Sequence, residues 1–393
     1  MKRKVLCLAV LGLTALARLG AALAQCGIQE TPAATLLLPY FEVDLSTSTG
    51  KTTQVTVGNA FSSGALVEAV VWSDLGVPIS SFDIYLNGYQ DVRFDLRDIL
   101  EGGRLPQTQP PAGTHPSCNG FMPPAPIPLG TLASYQQALI GGPVPAAGNL
   151  CAGRNLGDTI ARGYITFDIV NACTLQIQTD PGVFAAGGTA TFSNQNSLFG
   201  DFQYVTTSTG LAEEHPLVHI VADGNAAPTS TAGKYTFYGK DVSWQAVDNR
   251  EPLATEFAAR FLAAGTDVIV WRDSKVAQSY FTCGSLPSWY PLGQESAWAM
   301  ADSGTYSFIG TKPFPAVAQR VRVGGAALPV PYSSGWLYLD LNTSVAAAPG
   351  APPFDPTVSQ AWVMTSSTVA SDVALGNNAV RYDSACAPRH YGP

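Results

Sequence analysis

Between residues 34 and 100 the chain never holds one hydrophobic period for longer than a short strand. Leu36-Leu37-Leu38 runs into Tyr40-Phe41-Glu42-Val43-Asp44-Leu45, and then a Ser/Thr/Gly turn intervenes. Thr52–Val57 alternates, Ala65–Trp72 is a continuous apolar run, and Phe82–Leu86 alternates again. Turn residues fall between them at Asn59, Gly64, Gly76-Val77-Pro78 and Asn87-Gly88. Short strands at such spacing predict a β-sandwich. Composition agrees: only 13% of residues are charged, against about 25% in an ordinary globular protein, so exposed helix faces would lack their usual Lys and Glu coat.

The rhythm breaks once. Ten prolines fall between 106 and 148, around a predicted helix from Leu132 to Ile140. Proline withholds the N–H that a sheet ladder needs, so this stretch reads as a connection. Strand patterns return at 163–170, 198–205, 216–221, 234–238, 267–271, 316–323 and 336–341. A second helix is predicted over 249–264. Asp248 followed by Glu251 imitates a capping box, Pro252 suits the first turn, and Leu253, Phe257 and Phe261 recur every four residues.

The expectation is therefore a mostly β protein with two β-sandwich-like (Ig/fibronectin-III-like) regions. Its boundaries are a first domain at 25–105, a Pro/Gly-rich connection at 106–160 and a second domain at 161–345. A linker with C-terminal strands follows at 346–393. Val70-Val71-Trp72-Ser73-Asp74 echoes Ile269-Val270-Trp271-Arg272-Asp273, and Phe41–Thr47 echoes Leu337–Thr343, as a duplicated sandwich would.

Residues 1–24 read as a secretory signal peptide. Met1-Lys2-Arg3-Lys4 is basic, Val5–Ala17 is apolar but too short to span a bilayer, and Ala22-Leu23-Ala24 offers small residues before cleavage between Ala24 and Gln25. The expected location is secreted, periplasmic or at the cell surface, with no membrane span. Removing four basic and no acidic residues takes the net charge from −8 to −12, which disfavours nucleic acid as a partner. Six cysteines remain: Cys26, Cys118, Cys151, Cys173, Cys283 and Cys386. An even number in an exported chain reads as three disulfides, with Cys118 and Cys151 expected to pair locally. No CxxC or zinc-spaced Cys/His set occurs.

Six segments resemble a family of uncharacterised exported proteins of Gram-negative bacteria. They are Thr31–Leu45, Ala161–Asp168, Asp248–Leu262, Thr266–Asp273, Pro287–Gln294 and Gly335–Asn342. The resemblance implies export and brings no assigned reaction, ligand or catalytic residue.

Chemistry-bearing groups are sparse. His215 and His219 would share a helix face, but Pro216 makes them strand residues about 13 Å apart. His219 with Asp223 is the remaining metal candidate. Calcium is the metal an exported acidic β-protein would take, though no EF-hand or nonapeptide repeat is present. No G-x-S-x-G elbow exists for a serine hydrolase. Glu251, Glu256, Asp267 and Asp273 gather around the predicted helix. With Arg250, Arg260 and Arg272 they suggest either an ion network or a carboxylate pair. The reading is a non-enzymatic, structural, adhesive or ligand-binding protein, with a glycan or a surface protein as partner. No catalytic residue or cofactor is assigned. The alternative is a secreted glycan hydrolase using paired carboxylates.

Overall fold

The computed structural model describes residues 31–223, 236–243, 247–262, 265–273, 278–285, 287, 296–311, 314–341, 360–368, 374–378, 380 and 381. The expected signal peptide, its cleavage site at Ala24 and Gln25, and the cysteines Cys7, Cys26 and Cys386 lie outside these residues.

The described chain is mostly β, in four antiparallel sheets. Its first nine strands are β1 (Thr35–Asp44), β2 (Lys51–Asn59), β3 (Ala65–Ser73), β4 (Pro78–Leu86), β5 (Asp91–Asp95), β6 (Ile160–Val170), β7 (Leu198–Thr206), β8 (Leu211–Pro216) and β9 (Val218–Ile220). Two α-helices sit between β5 and β6, α1 (Leu96–Leu100) and α2 (Leu129–Leu139). The next nine strands are β10 (Glu256–Leu262), β11 (Thr266–Arg272), β12 (Ser296–Ala301), β13 (Tyr306–Thr311), β14 (Ala318–Arg322), β15 (Ser334–Asp340), β16 (Ala361–Thr368), β17 (Ala374–Asn378) and β18 (Val380–Arg381).

The sheet orders are β4-β3-β6-β1-β9 facing β5-β2-β7-β8, then β13-β12-β15-β10-β18 facing β14-β11-β16-β17. Subtracting nine from every strand number of the second pair reproduces the first. Among the described residues the fold is one nine-stranded sandwich built twice. Single hydrogen bonds repeat with the strands. The amide of Leu198 donates to Ala33 where that of Ala361 donates to Ala254, on the equivalent strand pair. Ile169 donates to Ala34 as Leu341 donates to Thr255. Gly163-Tyr-Ile-Thr-Phe-Asp168 on β6 matches Gly335-Trp-Leu-Tyr-Leu-Asp340 on β15. Both glycines are forced by the same close approach. A Cβ would meet the Trp72 carbonyl at 1.9 Å from Gly163 and the Met300 carbonyl at 2.0 Å from Gly335.

This corrects the expected domain limits. Strand β6 is central in the first five-stranded sheet, so residues 160–220 complete the first sandwich instead of opening the second. The C-terminal strands at 361–381 likewise belong inside the second sandwich. The proline-rich stretch is an insertion between β5 and β6. The equivalent β14–β15 connection, 323–333, is a short turn. The two echoes also fall on non-equivalent strands, matching β3 with β11 and β1 with β15. Repeated strand chemistry produced them; the duplication is carried by β6 and β15.

Within the predicted helix over 249–264 lies strand β10, preceded by chain without regular structure at 251–255. A period of four also satisfies a period of two, and Phe257, Ala259 and Phe261 all point into the core. Asp248 does not cap a helix: its carboxylate accepts from the Thr236 hydroxyl and, at 3.0 Å, from the Tyr238 amide. The predicted helix at 132–140 is α2.

Disulfides join Cys118 to Cys173 and Cys151 to Cys283, which overturns the local Cys118–Cys151 pairing. The first ties the insertion to the loop after β6. The second ties it to the β11–β12 connection of the other sandwich. Burial locks the halves further. On β11, Val268 and Val270 enter the second core while Ile269 and Trp271 enter the first. On β16, Ala361 and Val363 face one way and Trp362 and Met364 the other. The β14-β11-β16-β17 sheet is therefore a middle layer, apolar on both faces. Arg320 on β14 holds Asp267 at 2.7 Å and reaches Glu42 of the first sandwich at 3.5 Å.

Candidate functional site

The residues singled out in the sequence are mostly buried. His219 on β9 bonds the Thr31 carbonyl at 2.8 Å through Nδ1, and burial holds its ring below the usual histidine range. His215 lies on β8, in the opposite sheet, stacked on Phe202 and 2.7 Å from Glu213. The two histidines share no site. Chain 221–223 pairs with 249–251: Glu251 donates its amide to Val221 and Asp223 donates its amide to Asn249. This brings Asp223 and Glu251 together along the backbone. Arg272 ends β11, fully buried, and the next residue, Asp273, pairs with Lys240 at 3.0 Å. Among the described residues no three His, Cys, Asp or Glu side chains are grouped to hold a metal ion.

A network that the sequence did not reveal centres on Arg250 and Asp168, both 0% exposed and 3.2 Å apart. Asp168 accepts from Thr35, and from Gln178 and the Tyr238 hydroxyl at 2.6 Å each. Arg250 donates to the carbonyls of Asp248 at 2.9 Å and Ser193 at 3.1 Å, and lies over the rings of Phe184 and Tyr238. Beside Asp168 in the same cross-strand row stand Glu68 on β3 and Asp83 on β4. Neither Glu68 oxygen has a partner in hydrogen-bonding geometry. Burial, with the charges of Asp83 and Asp168, pushes its pKa up to about 9; the nearby Ser81 hydroxyl offsets only part. Burial likewise raises Asp83 to about 7. The network is sealed, covered by the loop after β6 and by residues 236–243 and 247–250.

The accessible feature is the equivalent face of the second sandwich. Alternation sends Ala297, Ala299, Leu337 and Leu339 inward and their neighbours outward. Pairing then lines up two outward rows. One is Phe308–Trp298–Tyr338 and the other is Tyr306–Met300–Trp336–Arg260. Neighbours within a row sit about 4.8 Å apart across strands, and the rows lie about 6.6 Å apart. Tyr306 is 71% exposed, Phe308 50% and Met300 45%. The Trp298 ring lies 4.9 Å from Phe308 and 6.2 Å from Tyr306, inclined at 57° and 54°. At one end Arg260 stands over Trp336 and pairs with Asp302, which also accepts from Ser334 at 2.8 Å. The Arg260 bond, then the Ser334 bond, holds Asp302 below the usual carboxylate range. The available signal was aromatic or Met at alternate positions on three strands: 298/300, 306/308 and 336/338.

A separate groove of about 440 Å³ beside α2 is lined by Tyr135, Tyr280, Pro128 and small residues, and carries no carboxylate. Comparison with known families, with curated proteins and with solved structures found no match.

Proposed function

We propose that this is an exported, non-enzymatic protein of structural or adhesive type that works by macromolecular contact through the open aromatic face of its second sandwich. One observation carries the reading. Among the described residues, the same face of the same fold is sealed in the first sandwich and open in the second, where Tyr306 and Phe308 are exposed and Trp298 and Trp336 are half-buried. A large exposed apolar patch costs solubility unless something covers it in use. Export is supported by the signal-like N-terminus, by the four described cysteines being joined in disulfides, and by the resemblance to exported Gram-negative proteins.

The hydrolase alternative loses its premise with the helix. Tyr338 donates to Glu256 at 2.9 Å, Arg320 and Arg322 hold Asp267, and Lys240 holds Asp273. These carboxylates serve strand pairing and the join between the halves.

A thiol placed on the face by Tyr306→Cys tests the reading. In intact cells making the full-length protein, it should resist a membrane-impermeant maleimide relative to the purified monomer, read at that site by peptide mass. Equal labelling in cells and in the purified monomer would show a face that nothing covers.

A further inference from the structure

We infer that the partner on this face is a second copy of the chain, joined face to face about a two-fold axis. The inference rests on the proposed contact role of the face and adds the identity of the occupant.

Three observations favour a protein sheet over a sugar chain. The first is the precedent inside the molecule. Tyr164 on β6 is the structural equivalent of Trp336 on β15, by register with Gly163 and Gly335. Tyr164 is buried against another sheet: it stacks on Trp72 at 5.7 Å and meets Trp271 of the middle layer at 6.0 Å, nearly edge-on. In this fold the face already packs on a sheet.

The second is relief. Rings inclined by 54° and 57°, with Met300 and Leu262 among them, make ridges and hollows that interlock as facing sheets do. Stacking of a sugar ring calls for an open, level ring face. Aromatic residues, Met and Arg are also the types enriched in protein interfaces.

The third is charge. After loss of the expected signal the chain carries −12, so two copies repel over most of their surfaces. Within the two aromatic rows the one charged residue is Arg260, side by side with Asp302 at one end, each about half exposed. A two-fold axis that runs in the plane of the interface and passes between Arg260 and Asp302 sets Arg260 of each copy against Asp302 of the other, which satisfies the self-complementarity an isologous interface needs.

The test is the mass in solution of the mature, disulfide-intact chain by light scattering and sedimentation. A concentration-dependent dimer is expected for the wild type, and a monomer with unchanged circular dichroism for Phe308→Asp. Arg260→Asp and Asp302→Arg, each alone, should also be monomeric, because like charges then face each other. Mixed together they should recover a dimer of one chain of each kind, an outcome that misfolding cannot imitate. A wild type that stays monomeric up to its solubility limit overturns the inference. So does a monomer whose Tyr306 region is protected by an added soluble polysaccharide, or already shielded by a segment of its own chain. Protection of Tyr306→Cys in cells alongside a monomeric pure protein would retain the contact role and discard the second copy.

Discussion

The two sandwiches have the same strand order, the same glycine contact on β6 and β15, and opposite outer faces. In the first, the row Asp83–Glu68–Asp168–Thr35 and the Trp72–Tyr164 pair lie under the loop after β6, residues 236–243 and 247–250, and the middle sheet. In the second, the equivalent positions are polar residues and a bare aromatic surface. The difference teaches that topology sets which face exists, while the side chains on it and the lengths of the connections decide what covers it. The first half carries the long β5–β6 insertion; the second has a turn there.

The comparison can be broken at matched positions. The largest expected effect is Arg250→Ala, which strands Asp168 without its cation in a fully buried site. Loss of one partner of such a pair costs about 3–5 kcal/mol, readable as a fall in the urea midpoint. Arg260→Ala, on the open face, should leave that midpoint unchanged at concentrations where the wild type is monomeric. Next, Tyr164→Ala should cost about 3–5 kcal/mol as a buried aromatic deletion. Its equivalent, Trp336→Ala, should cost a small fraction of that, because the ring is only partly covered. A reversed order for either pair would mean the faces have been assigned the wrong way round.

Removing the covalent tie, Cys151→Ala with Cys283→Ala, should cost about 2–5 kcal/mol. The loss should appear as earlier exchange of amides where the insertion meets the second sandwich. Mass mapping of the mature, non-reduced chain should add one further bond, Cys26–Cys386, these being the two cysteines left over.

The smallest effect concerns pH. Glu68 titrates near 9 and Asp83 and Asp241 near 7 in the folded protein, all above the ordinary carboxylate range. The folded state therefore binds more protons than the unfolded state between about pH 4.5 and 9, and stability falls as pH rises through that window. Glu42 and Glu213 have lowered values, so their contribution is present at neutral pH and lost on acidification below the ordinary range. The midpoint should peak near pH 5, and Glu68→Gln should flatten its decline toward pH 9.

Much of this was legible in the sequence. Alternation and turn chemistry marked the strands of the first half, and proline density marked the insertion. The helix at 249–264 failed because Leu253, Phe257 and Phe261 satisfy both periods, and only the pairing of β10 with β15 separates them. The disulfides failed because nearness in sequence says nothing about which loops a sandwich brings together. Arg250 was visible as a charge, but its partners Thr35, Ser193 and Asp168 come from distant strands and loops. The aromatic face was visible as alternate residues on three strands. Tryptophan on a strand is usually core, and whether a face is covered depends on a neighbour that local pattern does not encode.

Hydroxyl-radical footprinting of the wild type and of Phe308→Asp measures the contrast between the two halves in one experiment. Trp72 and Tyr164 should resist oxidation in both proteins, while Tyr306 and Trp336 should be protected in the wild type and oxidised in the variant. Equal oxidation of Tyr306 and Trp336 in the two proteins, at concentrations where the wild type should be paired, would contradict the account.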